Sequence, residues 1–131
     1  MEVLFLGTSS MVPTKDRNQI SILVSTRNYD ILMDCGEGTQ RQMKIKKISP
    51  NRIKKILITH WHGDHSLGLP GLLMTLGQNG YNEKLQIFGP KGSKEHIELL
   101  KRAFLFSPTY ELEVIECTSG KIYEDSILEI Y

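Results

Sequence analysis

Three of the chain's four histidines fall within six positions, in the run His60-Trp61-His62-Gly63-Asp64-His65. Imidazole and carboxylate are ordinary zinc ligands, and a catalytic zinc keeps one position open where a structural zinc is closed by four protein ligands. The β-branched run Ile56-Leu57-Ile58 reads as a short buried strand, so His60 stands where a strand gives way to a Gly-containing turn. By the two-residue period of extended chain, His60 and His62 point to the same side and reach one ion. Asp64 and His65 lie one turn further on and face a second. Leu69, Leu72, Leu73 and Leu76 then recur at i, i+3, i+4 and i+7, the apolar face of the helix that follows. Single histidines are more often incidental surface residues, but H-x-H-x-D-H is far more specific than one pair.

The remaining elements alternate. Val3 to Leu6, Ile20 to Val24 and Tyr29 to Met33 read as strands, with Arg27-Asn28 as a hairpin turn between the last two. The third strand delivers Asp34-Cys35-Gly36-Glu37-Gly38-Thr39-Gln40, where Thr39 is placed to cap a helix. Met43, Ile45 and Ile48 give that helix an imperfect apolar face. Its basic run, Arg41, Lys44, Lys46 and Lys47 followed by Arg52, Lys54 and Lys55, is either a track for an RNA backbone or the wet face of a helix. Beyond the metal motif, Gly77 to Asn82 reads as a surface turn and Leu85 to Phe88 as a strand. Ser93 caps a helix with Ile97, Leu100 and Phe104 inward and His96 exposed. Glu111 to Glu116 and Ile127 to Tyr131 read as the last strands, joined through a turn at Tyr123 to Ser126.

The motif His60-x-His62-x-Asp64-His65 resembles the metal-binding signature of the metallo-β-lactamase superfamily. The resemblance implies an α/β fold, the αββα sandwich of two sheets flanked by helices, holding one or two zinc ions and activated hydroxide. Pro13-x-Lys15-x-Arg17-Asn18, in the polar loop after the first strand, looks like the P-x-K-x-R-N loop that marks the tRNase Z family. The run D-C-G-E-G-T-Q fits that family's D-C-G-E-[AG]-T-Q. Physically, proline pre-sets the loop, Lys15 and Arg17 suit phosphates, and Asn18 can brace backbone.

What tRNase Z implies is a zinc-dependent endoribonuclease that removes the 3′ trailer from tRNA precursors, a homodimer in the full-length family. His60 and His62 would hold one Zn2+, and Asp64 and His65 the second. Asp64 would take the nucleophile's proton, and Asp34 would orient the metal loop without binding metal. Pro13, Lys15, Arg17 and Asn18 would bind substrate. The family's further ligands have no counterpart here, so residues 1–131 are expected to be the amino-terminal part of such a domain: one mixed sheet with its flanking helices, and an inner face left without its opposing sheet. The alternatives are another metallo-β-lactamase-fold hydrolase, or a chain inactive alone that needs a partner.

Composition is compatible with all of these. With 131 residues, 40% hydrophobic and 24% charged, the chain can bury one modest core. Sixteen Lys and Arg nearly balance fifteen Asp and Glu, so any affinity for nucleic acid must come from local patches. Cys35 and Cys117 are too few for a disulfide framework and read as free thiols in a reducing compartment. The short, acidic start and the lack of a long apolar run imply neither signal peptide nor membrane span, and a cytoplasmic protein.

Overall fold

A computed structural model describes all 131 residues. Six strands form one sheet in sequence order: β1 (Glu2–Gly7), β2 (Ser21–Ser25), β3 (Asp30–Met33), β4 (Ile53–Leu57), β5 (Leu85–Gly89) and β6 (Leu112–Glu116). β1 to β3 run antiparallel as successive pairs, and β3 to β6 run parallel. Helices α1 (Thr39–Ile45), α3 (Leu69–Gln78) and α4 (Ser93–Ala103) make the crossovers that parallel pairing requires, with the one-turn α2 (Gly63–Ser66) ahead of α3. This is the expected mixed sheet with flanking helices.

Strand alternation sorts the sheet into two unlike faces. Leu23, Leu32, Ile56 and Ile87 stand in register across β2 to β5, and all are at most 1% exposed. Against them pack Met43 of α1, Leu69, Leu72, Leu73 and Leu76 of α3, and Ile97 of α4. The opposite face has thinner cover. Val3 and Phe5 are 52% and 63% exposed, while the ribbon of β7 (Tyr123–Glu124) and β8 (Glu129–Ile130) lies over the middle of that face. A cavity of about 420 Å³ remains between them, lined by Met33, Leu57, Phe88, Ile122 and Ile130 among others.

One buried cation fastens the ribbon. The Lys55 ammonium lies 4.3 Å from the Tyr29 ring centroid and 4.1 Å from that of Tyr123, and both tyrosine hydroxyls donate to Asp125. Burial lowers the Lys55 pKa, and the Asp125 charge opposes that shift.

Several local expectations change. Thr39 and Ser93 are the first residues of α1 and α4, and neither caps: Gly38 and Gly92 occupy the cap positions with φ of 79° and 94°. The two hydroxyls instead turn back to the Gly36 and Pro90 carbonyls. Phe104 is 52% exposed, and Phe106 packs on the core in its place. Tyr81, expected in a surface turn, is buried with its hydroxyl donating to the Ile53 carbonyl at 2.9 Å. Tyr123-Glu124 is a strand of the ribbon, and the turn falls after it. Both cysteines are free thiols, with Cys35 buried.

Candidate metal centre

The parallel pairing of β3 with β4, Met33 opposite Leu57, brings the carboxyl ends of two strands side by side. Asp34 follows one strand and Thr59-His60 the other. Asp34 adopts a left-handed φ of 56°, a conformation aspartate tolerates better than most residues. Its side chain, 6% exposed, gathers the opposite loop. The Thr59 backbone N–H donates to Oδ1 at 2.8 Å, the Thr59 hydroxyl donates to Oδ2 at 2.9 Å, and His65 Nδ1–H donates to Oδ2 at 2.7 Å. A proton fixed on Nδ1 leaves the Nε2 lone pair of His65 facing outward.

That Nε2 lies 3.5 Å from Asp64 Oδ2. His60 Nε2 lies 3.1 Å from His62 Nδ1, and the His60 and His65 ring centroids are 4.1 Å apart. Two ligands at ~2.0–2.1 Å from a tetrahedral zinc stand about 3.3 Å from each other. Both pairs match that span, so the donor set fits metal ions as two half-sites. No three His, Cys, Asp or Glu groups converge on one point. The residues assigned to the metal thus come together pairwise, without a third ligand.

The turn after β3 and the metal loop are packed backbone to backbone. Cys35 N–H donates to the His65 carbonyl and Gly68 N–H to the Cys35 carbonyl, at 2.8 and 2.9 Å. A Cβ on Gly68 would lie 2.1 Å from the Gly36 carbonyl oxygen, so no side chain fits there. Beside this stands the Pro13-to-Asn18 loop. Thr14 Oγ1 accepts from the Arg17 N–H at 3.0 Å, and Asn18 donates to the Glu37 carbonyl at 3.0 Å and accepts from Gln42 Nε2 at 2.8 Å. The Met11 methyl group lies against Gly63. Pro13, Lys15 and Arg17 are exposed.

Three participants escaped the sequence. Thr59 touches both Asp34 and His60, and only its place one residue before His60 pointed to it. Trp61 stacks on His96, with centroids 4.7 Å apart, and donates from Nε1 to Ser93 Oγ at 2.9 Å; nothing local signals that contact. Gln42 had no signal at all.

The family model described as Anti-Pycsar protein Apyc1 matches residues 1–109. The chain belongs to that family. It is 46% identical over 125 residues to Ribonuclease Z of Methanothermobacter thermautotrophicus, covering 95% of this chain and 41% of that protein. The crystal structure of human tRNase Z, short form, aligns with a TM-score of 0.82 at 36% identity, over 88% of this chain and 44% of that one. The metallo-β-lactamase fold protein YhfI from Bacillus subtilis aligns with a TM-score of 0.75 at 17% identity, a likeness of fold alone, over 93% of this chain and 47% of that one. The fold is therefore that of the metallo-β-lactamases, and its donor pairs fit a metal cofactor. The likeness to tRNase Z, drawn from short motifs, extends over nearly the whole chain. The chain spans less than half the length of these relatives. No helix is long and apolar enough to cross a membrane.

Proposed function

We propose that residues 1–131 are the amino-terminal part of a metallo-β-lactamase-like domain whose whole protein is a zinc-dependent endoribonuclease removing the 3′ trailer from tRNA precursors. The observation that carries this is the docking of the P-x-K-x-R-N loop, through Asn18 and Gln42, beside the two donor pairs. Identity of 46% with Ribonuclease Z over both motifs favours this activity over the one named in the family description.

Each residue then has a task. His60 and His62 hold one zinc, and Asp64 and His65 the other. Zinc, when bound, supplies Lewis acidity toward a phosphodiester and activates water for in-line attack. Asp64 accepts the nucleophile's proton, its carboxylate being the free acceptor of the loop. Asp34 keeps the His65 Nε2 lone pair available. Lys15 and Arg17 place the acceptor end by phosphate contact, on a loop braced by Asn18 and started by Pro13.

Because no three donors converge, we propose further that the remaining ligands come from outside these residues, through more chain or a partner. A second copy is the partner that the family resemblance implies.

The test pairs metal content with substrate choice. Elemental analysis of the purified protein should find zinc that a D64A/H65A variant has lost. K15A/R17A should lower turnover of a tRNA precursor far more than turnover of a small chromogenic phosphodiester. Equal losses on both substrates would count against tRNA as the substrate, and zinc retained by D64A/H65A would count against the metal assignment.

A further inference from the structure

The chain's near-neutral charge hides a segregation. Between Glu37 and Glu83 stand seven Lys and Arg residues and a single acid, Asp64, so this segment carries +6 in a chain of net +1. The structure divides the seven cations. Arg52 pairs with Asp30 at 3.2 Å, Lys54 pairs with Glu83, and Lys55 is buried between two tyrosine rings. Arg41, Lys44, Lys46 and Lys47 are all exposed, and none enters an ion pair. Four like charges crowded on and after a two-turn helix repel one another, and a polyanion relieves that repulsion by replacing condensed small ions.

One of these cations, Lys46, adjoins the substrate loop, whereas Lys44 and Lys47 line a separate pocket with Thr75 and Asn79. Lys46, at the carboxyl end of α1, and Arg17 line one cleft of about 200 Å³, with Thr8, Asn18 and Gln42 among its walls. Asp16 is its one carboxylate. The hydrogen bond from Gln42 to Asn18 at 2.8 Å ties the loop that carries Arg17 to the helix that leads into Lys46. The last carbonyls of the helix oppose an anion here, so the cations must outweigh them.

We propose that the Arg17–Lys46 cleft seats a backbone phosphate of the RNA substrate. Lys46 is then a substrate-positioning residue. The inference rests on the tRNA-processing reading for the identity of the polyanion.

The experiment is an anisotropy titration of the full chain with a labelled tRNA precursor between 50 and 200 mM salt. One phosphate contact contributes about 0.7–0.9 to the slope of log K against log salt, or about threefold in affinity over that range. K46A should lose this increment, K46R should keep it, and K94A, an exposed unpaired lysine on α4, should match the wild type. A slope unchanged in K46A overturns the proposal, as does Lys46-dependent binding of phosphatidylserine vesicles with no binding of RNA. Cleavage is scored in the same samples. A chain that cuts the precursor while K46A binds like wild type loses only the cleft. Lys46-dependent RNA binding with no zinc-dependent cutting tells against the processing function and leaves the cleft in place.

Discussion

His60 and His65 lie 4.1 Å apart by ring centroid, yet the protein holds them by different means. His65 is fastened to a buried carboxylate that also receives two donors from Thr59, and that carboxylate sits just past the end of β3. Beyond the other histidines of the loop, His60 meets the Thr59 hydroxyl at 3.1 Å, and its partner His62 is exposed. One donor pair is thus built into the sheet, and the other hangs from a loop. The difference teaches that orientation of the Asp64–His65 pair is a tertiary property, whereas that of the His60–His62 pair is mainly local.

Breaking the brace is the largest test of that contrast. Asp34→Ala removes three hydrogen bonds to a buried charge and forces alanine into a left-handed φ. Loss of such an outer brace costs about 10–100-fold in metal affinity, and hydrogen bonds to charged groups contribute about 1.5–3 kcal/mol to stability. Zinc titration and denaturant unfolding should show both losses. His62→Ala should reduce zinc binding with stability changed by less than about 0.5 kcal/mol, as for other exposed positions. An Asp34→Ala protein with wild-type zinc affinity would erase the distinction.

A smaller change probes the one side chain shared by both pairs. Thr59→Val keeps the backbone N–H to Asp34 and deletes the hydroxyl contacts to Asp34 and His60. A cost of about 1 kcal/mol in unfolding free energy is expected, with zinc affinity reduced less than in Asp34→Ala. If Thr59→Val weakens zinc more than Asp34→Ala does, the threonine and not the aspartate organises the centre.

The mildest effect is on pH dependence. Burial pushes the Cys35 thiol, beside Asp34, up to about 12 from 9.0. The folded state therefore keeps a proton that the unfolded chain releases. This contribution is full below pH 9 and is lost as pH rises toward 12, at no more than about 1.4 kcal/mol per unit. Tyr81, raised by burial to about 12, acts in the same direction from pH 10 upward. Urea midpoints between pH 8 and 11 should fall less steeply in Cys35→Ala than in wild type. Parallel profiles would remove Cys35 as a cause.

Much of the architecture was legible because it is written in short spacings. Leu69, Leu72, Leu73 and Leu76 all face the core, since one helical stripe is a local repeat. The strands needed only alternation and flanking turn residues. Lys55 was not legible: in a run of basic residues it looks as wet as Lys47, but its strand position turns it between Tyr29, ahead of β3, and Tyr123 of the ribbon. The capping hydroxyls misled for a related reason. Thr39 and Ser93 satisfy carbonyls of their own turns, and left-handed glycines before them start the helices.

By itself, the sequence determined the donor types and their nearest neighbours: His60 and His62 two residues apart, Asp64 adjacent to His65, a proline-led loop with two cations. Two-residue and one-turn separations leave the backbone few ways to place such groups, so their proximity could be read directly. Tertiary structure decided which distant residues meet them. Asp34 reaches His65 because Met33 pairs with Leu57 and not one residue away, and a one-residue slip would reverse every side chain on the strand. That register is set by burying Leu32 and Ile56 together under α3, a choice made by the whole core.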